Sequence, residues 1–373
     1  MVLLRWLTPA IALAHASAAA DVDCSTAASA AAGRDLTGQV VVMTGGDTGL
    51  GLETSKALAA AHATLVIGAY NATHGAEIAA QIAASTGNAK VSALGVDLSD
   101  LRSVRAFAGA VLAGPGAAGV ATLVNDAGID HTLVGLPAIT ADGFERVFQV
   151  NYLGPFLLTE LLLPALRKHS MAAAGAGGAR VINVASAASF DACLWGNRAA
   201  GCLAQAQWHT DATTPNGTLA PVAGPCGPPC PNGCNQAGTP VSNYGLTKFS
   251  QVAHAAELDA REAAAGSGVR AFSLHPGFVA TPMTEDIAPA TAKAWCAPLP
   301  YKVGVCPIPV QAGAATQTFL ASAMPAELAA GAGQYYVQCK PTPKATYDGW
   351  TWGANASAAA YFDASRGWLG LGA

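Results

Sequence analysis

Residues 39–71 read QVVVMTGGDTGLGLETSKALAAAHATLVIGAYN. A short apolar run, Val40 to Met43, meets a glycine-rich turn, then a helical pattern, then a second apolar run from Thr64 to Ile67. That order makes a βαβ unit of ordinary length. Glycines at such a turn let the backbone approach a pyrophosphate, whose charge meets the free amides and the dipole at the helix start. A glycine-rich turn alone is often only a tight strand-to-helix connection. The spacing here says more: Thr44-Gly45, three residues, Gly49, one residue, Gly51.

Outward from this unit the pattern continues. Seven apolar strand candidates alternate with helical stretches, which predicts an α/β fold: one doubly wound, Rossmann-type parallel sheet with helices on both faces. The 373 residues suit one large domain with insertions, and 52% hydrophobic residues can bury a sizeable core. Only 11% of residues are charged, and 19 Lys+Arg against 23 Asp+Glu give a net charge of -4. No basic surface exists to neutralise a phosphate backbone, so no nucleic-acid partner is expected.

The first twenty residues, MVLLRWLTPAIALAHASAAA, combine Arg5, an apolar stretch from Trp6, and small residues at Ala16, Ala18 and Ala20 before Asp21. That is the pattern of a cleaved secretory signal. The alternative is an uncleaved anchor, although Thr8, Pro9 and His15 interrupt a run already short for a span. The later run from Leu153 to Leu166 is short and holds Pro155, Glu160 and Pro164, so no span is expected in the mature chain, residues 21–373, which reads as a single domain. A secretory lumen or the cell exterior is the expected location. Asn71-Ala72-Thr73, Asn216-Gly217-Thr218 and Asn355-Ala356-Ser357 are glycosylation triplets, each weak alone. Of nine cysteines, Cys193, Cys202, Cys226, Cys230 and Cys234 fall in one Pro/Gly-rich stretch, and Cys296 and Cys306 flank another Pro-rich loop. Disulfides are expected there. A metal site is the competing reading, but three-residue spacers do not match zinc knuckles, and no metal is assigned. Cys339 reads as a buried thiol at the end of the last apolar strand.

The glycine spacing resembles the short-chain dehydrogenase/reductase family in its non-extended form, which has no glycine where Thr48 stands. Further matches follow in that family's order: Asp97-Leu98, Asn125-Asp126-Ala127-Gly128, Asn151 within FQVNYLGPFLLTELLLPAL, Ser186 closing RVINVAS, Tyr244-Gly-Leu-Thr-Lys248, and HPGFVATPM from His275. Together they span about Asp35 to Lys340. QAGAATQTFLA from Gln311 and GQYYVQCKP from Gly333 look like the retinol-dehydrogenase-like branch, whose members act on retinoids, steroids and other lipophilic carbonyls.

The resemblance implies a nicotinamide cofactor across the carboxyl ends of the strands. The turn from Thr44 through Gly45, Asp47, Thr48, Gly49 and Leu50 to Gly51 would carry its pyrophosphate, and Asp97 and Leu98 would lie by the adenine. Asn125, Ala127 and Gly128 would form the cofactor-facing strand end, where position 126 departs from the family's usual second Asn. Pro276, Gly277, Val279 and Thr281 would bracket the nicotinamide amide. An acid at the end of the second strand would bind the ribose hydroxyls of NAD, and an Arg would meet the extra phosphate of NADP. The chain offers Tyr70 and Asn71 there, Asp47 mildly opposes a second phosphate, and the branch leans towards NADP; NADP and NAD both stay open.

Tyr244 and Lys248 are four apart in a helical stretch, on one face about one turn apart. A phenol of pKa about 10 is a poor base at neutral pH, and an adjacent ammonium favours its phenolate. As the resemblance implies, Tyr244 is the general acid/base, Lys248 lowers its pKa and holds the nicotinamide ribose, Ser186 hydrogen-bonds the substrate oxygen, and Asn151 holds a water for the proton relay. His254 reads as a packed or surface residue, His275 as structural, and His209 as a candidate substrate contact.

Ser186 and Tyr244 stand 58 positions apart, more than the family normally uses. Asp191 to Val241 has no helical or strand period and reads as a Cys-rich, disulfide-stapled loop over the substrate entrance. Two classes of function follow. One is an oxidoreductase moving a hydride between the cofactor and a small hydrophobic alcohol or carbonyl, retinoid-, steroid- or lipid-like. The other is a non-catalytic cofactor-binding or structural protein on the same fold, which has no need of all four of Asn151, Ser186, Tyr244 and Lys248. Oligomeric state is not legible in the sequence.

Overall fold

A computed structural model describes residues 22–130, 139–144, 146–172, 178–186, 189, 240–281, 283, 307–328, 331, 333–342 and 358–372. The signal segment, the Asn216 and Asn355 triplets, His209 and seven of the nine cysteines lie outside these residues, as do residues 191–239 of the insertion.

The quoted stretch folds as its pattern predicts. Strand β1 (Val40–Thr44) is buried throughout, helix α1 spans Gly49–Ala60, and β2 spans Thr64–Ala69. Then come α2 (Ala72–Thr86), β3 (Val91–Gly95), α3 (Leu101–Ala113) and β4 (Thr122–Asn125). A π-helical turn (Gln149–Leu153) leads into α4 (Gly154–Ala172), followed by β5 (Arg180–Val184), α5 (Pro240–Ala264) and β6 (Arg270–His275). Helix α6 (Ala315–Ser322), β7 (Tyr335–Val337), β8 (Lys340–Pro341) and α7 (Ala358–Trp368) follow, and helical turns of three or four residues, among them Ala27–Ala30 and Pro325–Leu328, lie between the main elements.

The sheet order is β3-β2-β1-β4-β5-β6-β7-β8. Its first seven strands pair in parallel, and the chain reverses direction across the sheet between β1 and β4. Open α/β sheets bind ligands at that switch point, beyond the carboxyl ends of the strands. The register puts Thr44 opposite both Gly68 and Asn125, so these strand ends finish level there. Continuous apolar strands such as VVVMT are what a sheet covered on both faces requires. One face packs Phe107, Leu157, Leu162 and Tyr361 from α3, α4 and α7; the other packs Leu58, Ile82, Phe319 and Leu320 from α1, α2 and α6.

Three expectations need correction. The sheet has eight strands, not seven: the chain turns back after β7 and adds β8 antiparallel, pairing Tyr336 with Pro341 and Val337 with Lys340. The reversal uses two residues of positive φ, Gln338 at 49° and Cys339 at 59°, the conformation a two-residue hairpin needs. Cys339 is not a free thiol; it is disulfide-bonded to Cys24, with 6.1 Å between their Cα atoms. Cys24 is therefore not a partner for the insertion's cysteines. The loop boundary also moves, because α5 already begins at Pro240, whose fixed φ suits a first helical turn.

Candidate active site

The glycine turn owes its shape to lost side chains. Gly45 has φ +70°, and a Cβ there would stand 3.0 Å from Ala127 Cα. At Gly51 a Cβ would drive into the carbonyl oxygen of Gly45 and stand 2.8 Å from Asp126 Oδ2. The turn therefore folds flat against the end of β4, and the Thr44 hydroxyl accepts a hydrogen bond from the Ala127 amide at 3.3 Å. Thr48 caps α1 in an extended conformation without a side-chain hydrogen bond to the helix. The start of α1, with its unpaired first-turn amides, thus lies beside three glycines that carry no side chain, Gly45, Gly49 and Gly51, which suits a dinucleotide's pyrophosphate.

Around this turn the predicted residues gather unevenly. Thr281 adjoins Gly49, since a Cβ on that glycine would lie 4.0 Å from the threonine methyl. Val279 is buried, bridges in parallel to Ile308, and packs with Leu50 around Gly313, which brings the segment after β6 to the turn's side. Gly277 has φ +95° and its amide is held by His275 Nδ1 at 3.2 Å. Burial lowers the His275 imidazole to about 4, so it accepts that bond as a neutral ring. Asp97 accepts from the Ser99 amide at 2.8 Å and the Ser99 hydroxyl at 2.7 Å, and Leu98 is buried beneath α4. Tyr70 is 76% exposed at the rim beyond β2, and Asn71 caps α2 by accepting from the Thr73 and His74 amides. Asp47 lies 4.0 Å from His74 Nε2. Asn125 turns inward instead: its Nδ2 donates to Asn183 Oδ1 at 2.9 Å and to Thr159 Oγ1 at 3.2 Å, tying β4 to β5 below the cleft floor.

Helix α5 supplies the chemistry. Tyr244, Thr247, Lys248 and Gln251 recur at helical spacing and so share a face. Lys248 Nζ donates to Val184 O at 2.8 Å and stands 5.5 Å from the centre of the Tyr244 ring. Ser186, two residues beyond β5, hydrogen-bonds the Tyr244 side chain. Two residues 58 positions apart in the chain are thus in direct contact. Asn151 sits in the π-helical turn, a feature often found at functional sites. Its Oδ1 accepts from the Ile129 amide at 2.8 Å, and its Nδ2 donates to Ile129 O at 2.9 Å and Thr247 Oγ1 at 3.1 Å. Its carbonyl accepts from Gln251 Nε2 at 2.7 Å. Gly128 is the hinge of the group: a Cβ there would lie 3.3 Å from Lys248 Nζ and 3.4 Å from Asn151 Oδ1.

Electrostatics separate the two catalytic candidates. Burial lowers the Lys248 ammonium to about 8, opposed by the charge of Asp126. Burial also raises the Tyr244 phenol above its ordinary value; the Ser186 hydrogen bond counters this, while Asp130 and Asp126 add to it. The expected lowering of the phenol by Lys248 is thus not found: burial outweighs the donors, and the phenol is protonated at neutral pH. His254, expected to be packed or at the surface, is packed: buried against Phe156 and Phe362, with Nδ1 against Asn183 Nδ2 at 3.1 Å.

The family model described as short chain dehydrogenase matches residues 39–197. Retinol dehydrogenase 11 of Homo sapiens is 33% identical over 248 residues, which cover 65% of this chain and 62% of the relative. Retinol dehydrogenase 12 of Mus musculus is 32% identical over 249 residues, 67% of this chain and 64% of the relative. The chain belongs to the short-chain dehydrogenase family. The matches span a little under two thirds of these curated relatives. A crystal structure of a Mycobacterium paratuberculosis protein superposes with a TM-score of 0.59 at 25% identity, covering 92% of this chain and 97% of the other. These relatives place the chain in the retinol-dehydrogenase-like branch.

Four residues of this short-chain dehydrogenase's site were not singled out beforehand as side chains with a role. Thr247 and Gln251 brace Asn151 and were findable as the i+3 and i+7 neighbours of Tyr244 on one helix face. Asp126 and Gln317 meet at 3.0 Å across 191 positions, with no local pattern to announce it. Among the described residues no group of three His, Cys, Asp or Glu could hold a metal, and no helix is long and apolar enough to cross a membrane.

Proposed function

We propose that this protein is a nicotinamide-dependent oxidoreductase acting on a small hydrophobic alcohol or carbonyl, retinoid-, steroid- or lipid-like. The observation that carries the reading is the meeting of Ser186, Tyr244 and Lys248 beside Gly128, on the sheet edge that also carries the Gly45–Gly51 turn. Family membership in the retinol-dehydrogenase-like branch supports the substrate class. When bound, the nicotinamide would supply or accept the hydride at the substrate carbon.

The chain's own residues do the rest. Ser186 orients the substrate oxygen, and Tyr244, protonated at neutral pH, donates the proton to that oxygen in reduction or takes it in oxidation. Lys248 stands 5.5 Å from the centre of the Tyr244 ring and, through Val184 O, is fixed in direction. Asn151 is a positioning residue that fixes the strand end at Ile129, and its π-helical turn is where a relay water would be held. At the adenosine rim Tyr70 and Asn71 stand where a carboxylate would select NAD, which supports NADP ahead of NAD. Fluorescence titration with NADPH and NADH, then turnover assays against aldehydes, ketones, steroids and retinoids, tests both readings. Absence of cofactor binding by correctly folded protein would overturn them.

The Cys24–Cys339 disulfide supports an oxidising compartment, in keeping with the secretory reading of residues 1–20. N-terminal sequencing of protein from its natural source should find cleavage near Ala18 or Ala20; an intact Met1 with cytosolic fractionation overturns this.

A further inference from the structure

Asp126 stands where the family usually carries an amide, directly after β4, and it touches both halves of the site. Its Oδ1 accepts from Gln317 Nε2 at 3.0 Å. The same Nε2 donates to Thr54 Oγ1 at 2.8 Å, and Thr318 Oγ1 lies 3.3 Å from that hydroxyl, so Asp126, α1 and α6 are clamped together. Its Oδ2 occupies the space beside Gly51, whose amide also donates to the carboxyl. On the other side the carboxyl acts on Lys248 and Tyr244 of α5.

We propose that Asp126 is a positioning residue that links cofactor binding to proton uptake: its carboxyl contests the α1 amides with the dinucleotide's phosphates when charged and releases them when neutral. This rests on the nicotinamide reading above. An anion at a helix N-terminus is held by the amides of the first turn, and a second anion in the same field weakens the first. Asp126 accepts from the Gly51 amide, and a pyrophosphate would draw on the amides of the same helix start.

The surrounding groups make the carboxyl's charge state responsive. Enclosure by protein atoms, with only partial access to the cleft, lifts its pKa to about 7, against the Gln317 and Gly51 donors and the Lys248 charge, all of which favour the ion. The other charged or titratable groups on the elements around it are Tyr244 on α5, Asp130 beyond Gly128, which acts on Tyr244, and Asp47, which faces His74 on the far side of the turn. Gln317 of α6 is neutral. A carboxyl in this setting changes charge within the physiological range.

The test is NADH affinity by fluorescence titration from about pH 5.5 to about pH 8.5, with NADH chosen because it lacks the titrating 2′-phosphate of NADPH. The dissociation constant of the wild type should rise by about threefold to tenfold with a midpoint near 7, and Asp126→Asn should give a flat profile. Gln317→Leu, which removes a donor that favours the ion, should move the midpoint upward and covers the case in which Asp126→Asn does not fold. A second readout needs no cofactor. The folded carboxyl holds its proton above the unfolded value of 3.8, so folding stability is lost as pH rises from about 4 to about 7, and Asp126→Asn should abolish that loss. NADH affinity that is flat in the wild type, or equally pH-dependent in Asp126→Asn, overturns the proposal. Failure of folded protein to bind NADH or NADPH at any pH would instead sink the oxidoreductase reading itself.

Discussion

The ammonium of Lys248 reaches out of α5 to the carbonyl oxygen of Val184, the last residue of β5, at 2.8 Å. One hydrogen bond thereby fixes the height of the helix against the strand end that carries Ser186. Tyr244, one turn back along the helix, receives its Ser186 hydrogen bond in consequence.

Replacing the phenol oxygen should separate binding from chemistry. Tyr244→Phe keeps the ring and its packing but loses the proton that Ser186 and Lys248 are arranged around. General acid catalysis contributes about 10²–10⁴-fold, so kcat should fall by about that factor while NADPH affinity changes little. Single-turnover kinetics with titrated cofactor check this, and wild-type turnover in the variant would refute the assignment.

The lysine predicts opposite trends for turnover and stability. With its pKa lowered to about 8 from 10.5, the ammonium is lost as pH rises through about 8, and turnover should fall there. Between about 8 and about 10 the unfolded chain binds more protons at this site than the folded chain, so the site's contribution to stability rises with pH. The stability gap between Lys248→Met and wild type should therefore narrow over that window, as parallel thermal melts and pH-rate profiles would show.

Gly51→Ala should damage the turn, because its Cβ has no room between the Gly45 carbonyl and Asp126. Overpacking of this kind costs about 1–3 kcal/mol, and here it also displaces the amides that face the pyrophosphate. Gly87→Ala is the control: its φ is +69° at the C-cap of α2, but nothing lies within 4 Å of the added carbon. Only the left-handed backbone penalty of about 1–2 kcal/mol applies there. Cofactor titration should separate the two variants, with affinity lost in the first and kept in the second.

What the sequence made legible was local. The βαβ unit, the glycine spacing and the Tyr244–Lys248 step are patterns within one or two elements, where periodicity and φ requirements act directly. Ser186 and Tyr244 required a resemblance to join them, since chain distance carries no contact information. Asn125 was expected to face the cleft, yet its amide is drawn under the floor by Asn183 and Thr159, a preference decided by neighbours from two other elements. Asp126 stood out only as a departure, and its carboxyl became meaningful once Gln317 and Gly51 were placed around it. The eighth strand was hidden for another reason: Lys340–Pro341 is too short for a period, and its turn has neither Gly nor Asn at the positive-φ positions.

The Cys24–Cys339 bridge joins residues 315 positions apart and ties the N-terminal segment to the β7–β8 turn. The short helix Ala27–Ala30 that follows Cys24 packs two buried alanines beneath the sheet's α1 and α6 side, but four residues cannot hold themselves there by propensity. The Arg34–Glu327 pair, with two bonds of 2.8 Å, is a second tie between the same regions, and its partial exposure limits it to at most about 1 kcal/mol. A disulfide closing a long loop contributes about 2–4 kcal/mol, so it dominates this attachment. Cys24→Ser with Cys339→Ser should lower the melting temperature by a few degrees, since each kcal/mol shifts a chain of this size by about 1–2 °C. The added loss should appear first as hydrogen exchange at residues 22–36 and at the β7–β8 turn, with α5 and the glycine turn still protected. An unchanged melting temperature and unchanged exchange would show that packing alone holds the segment.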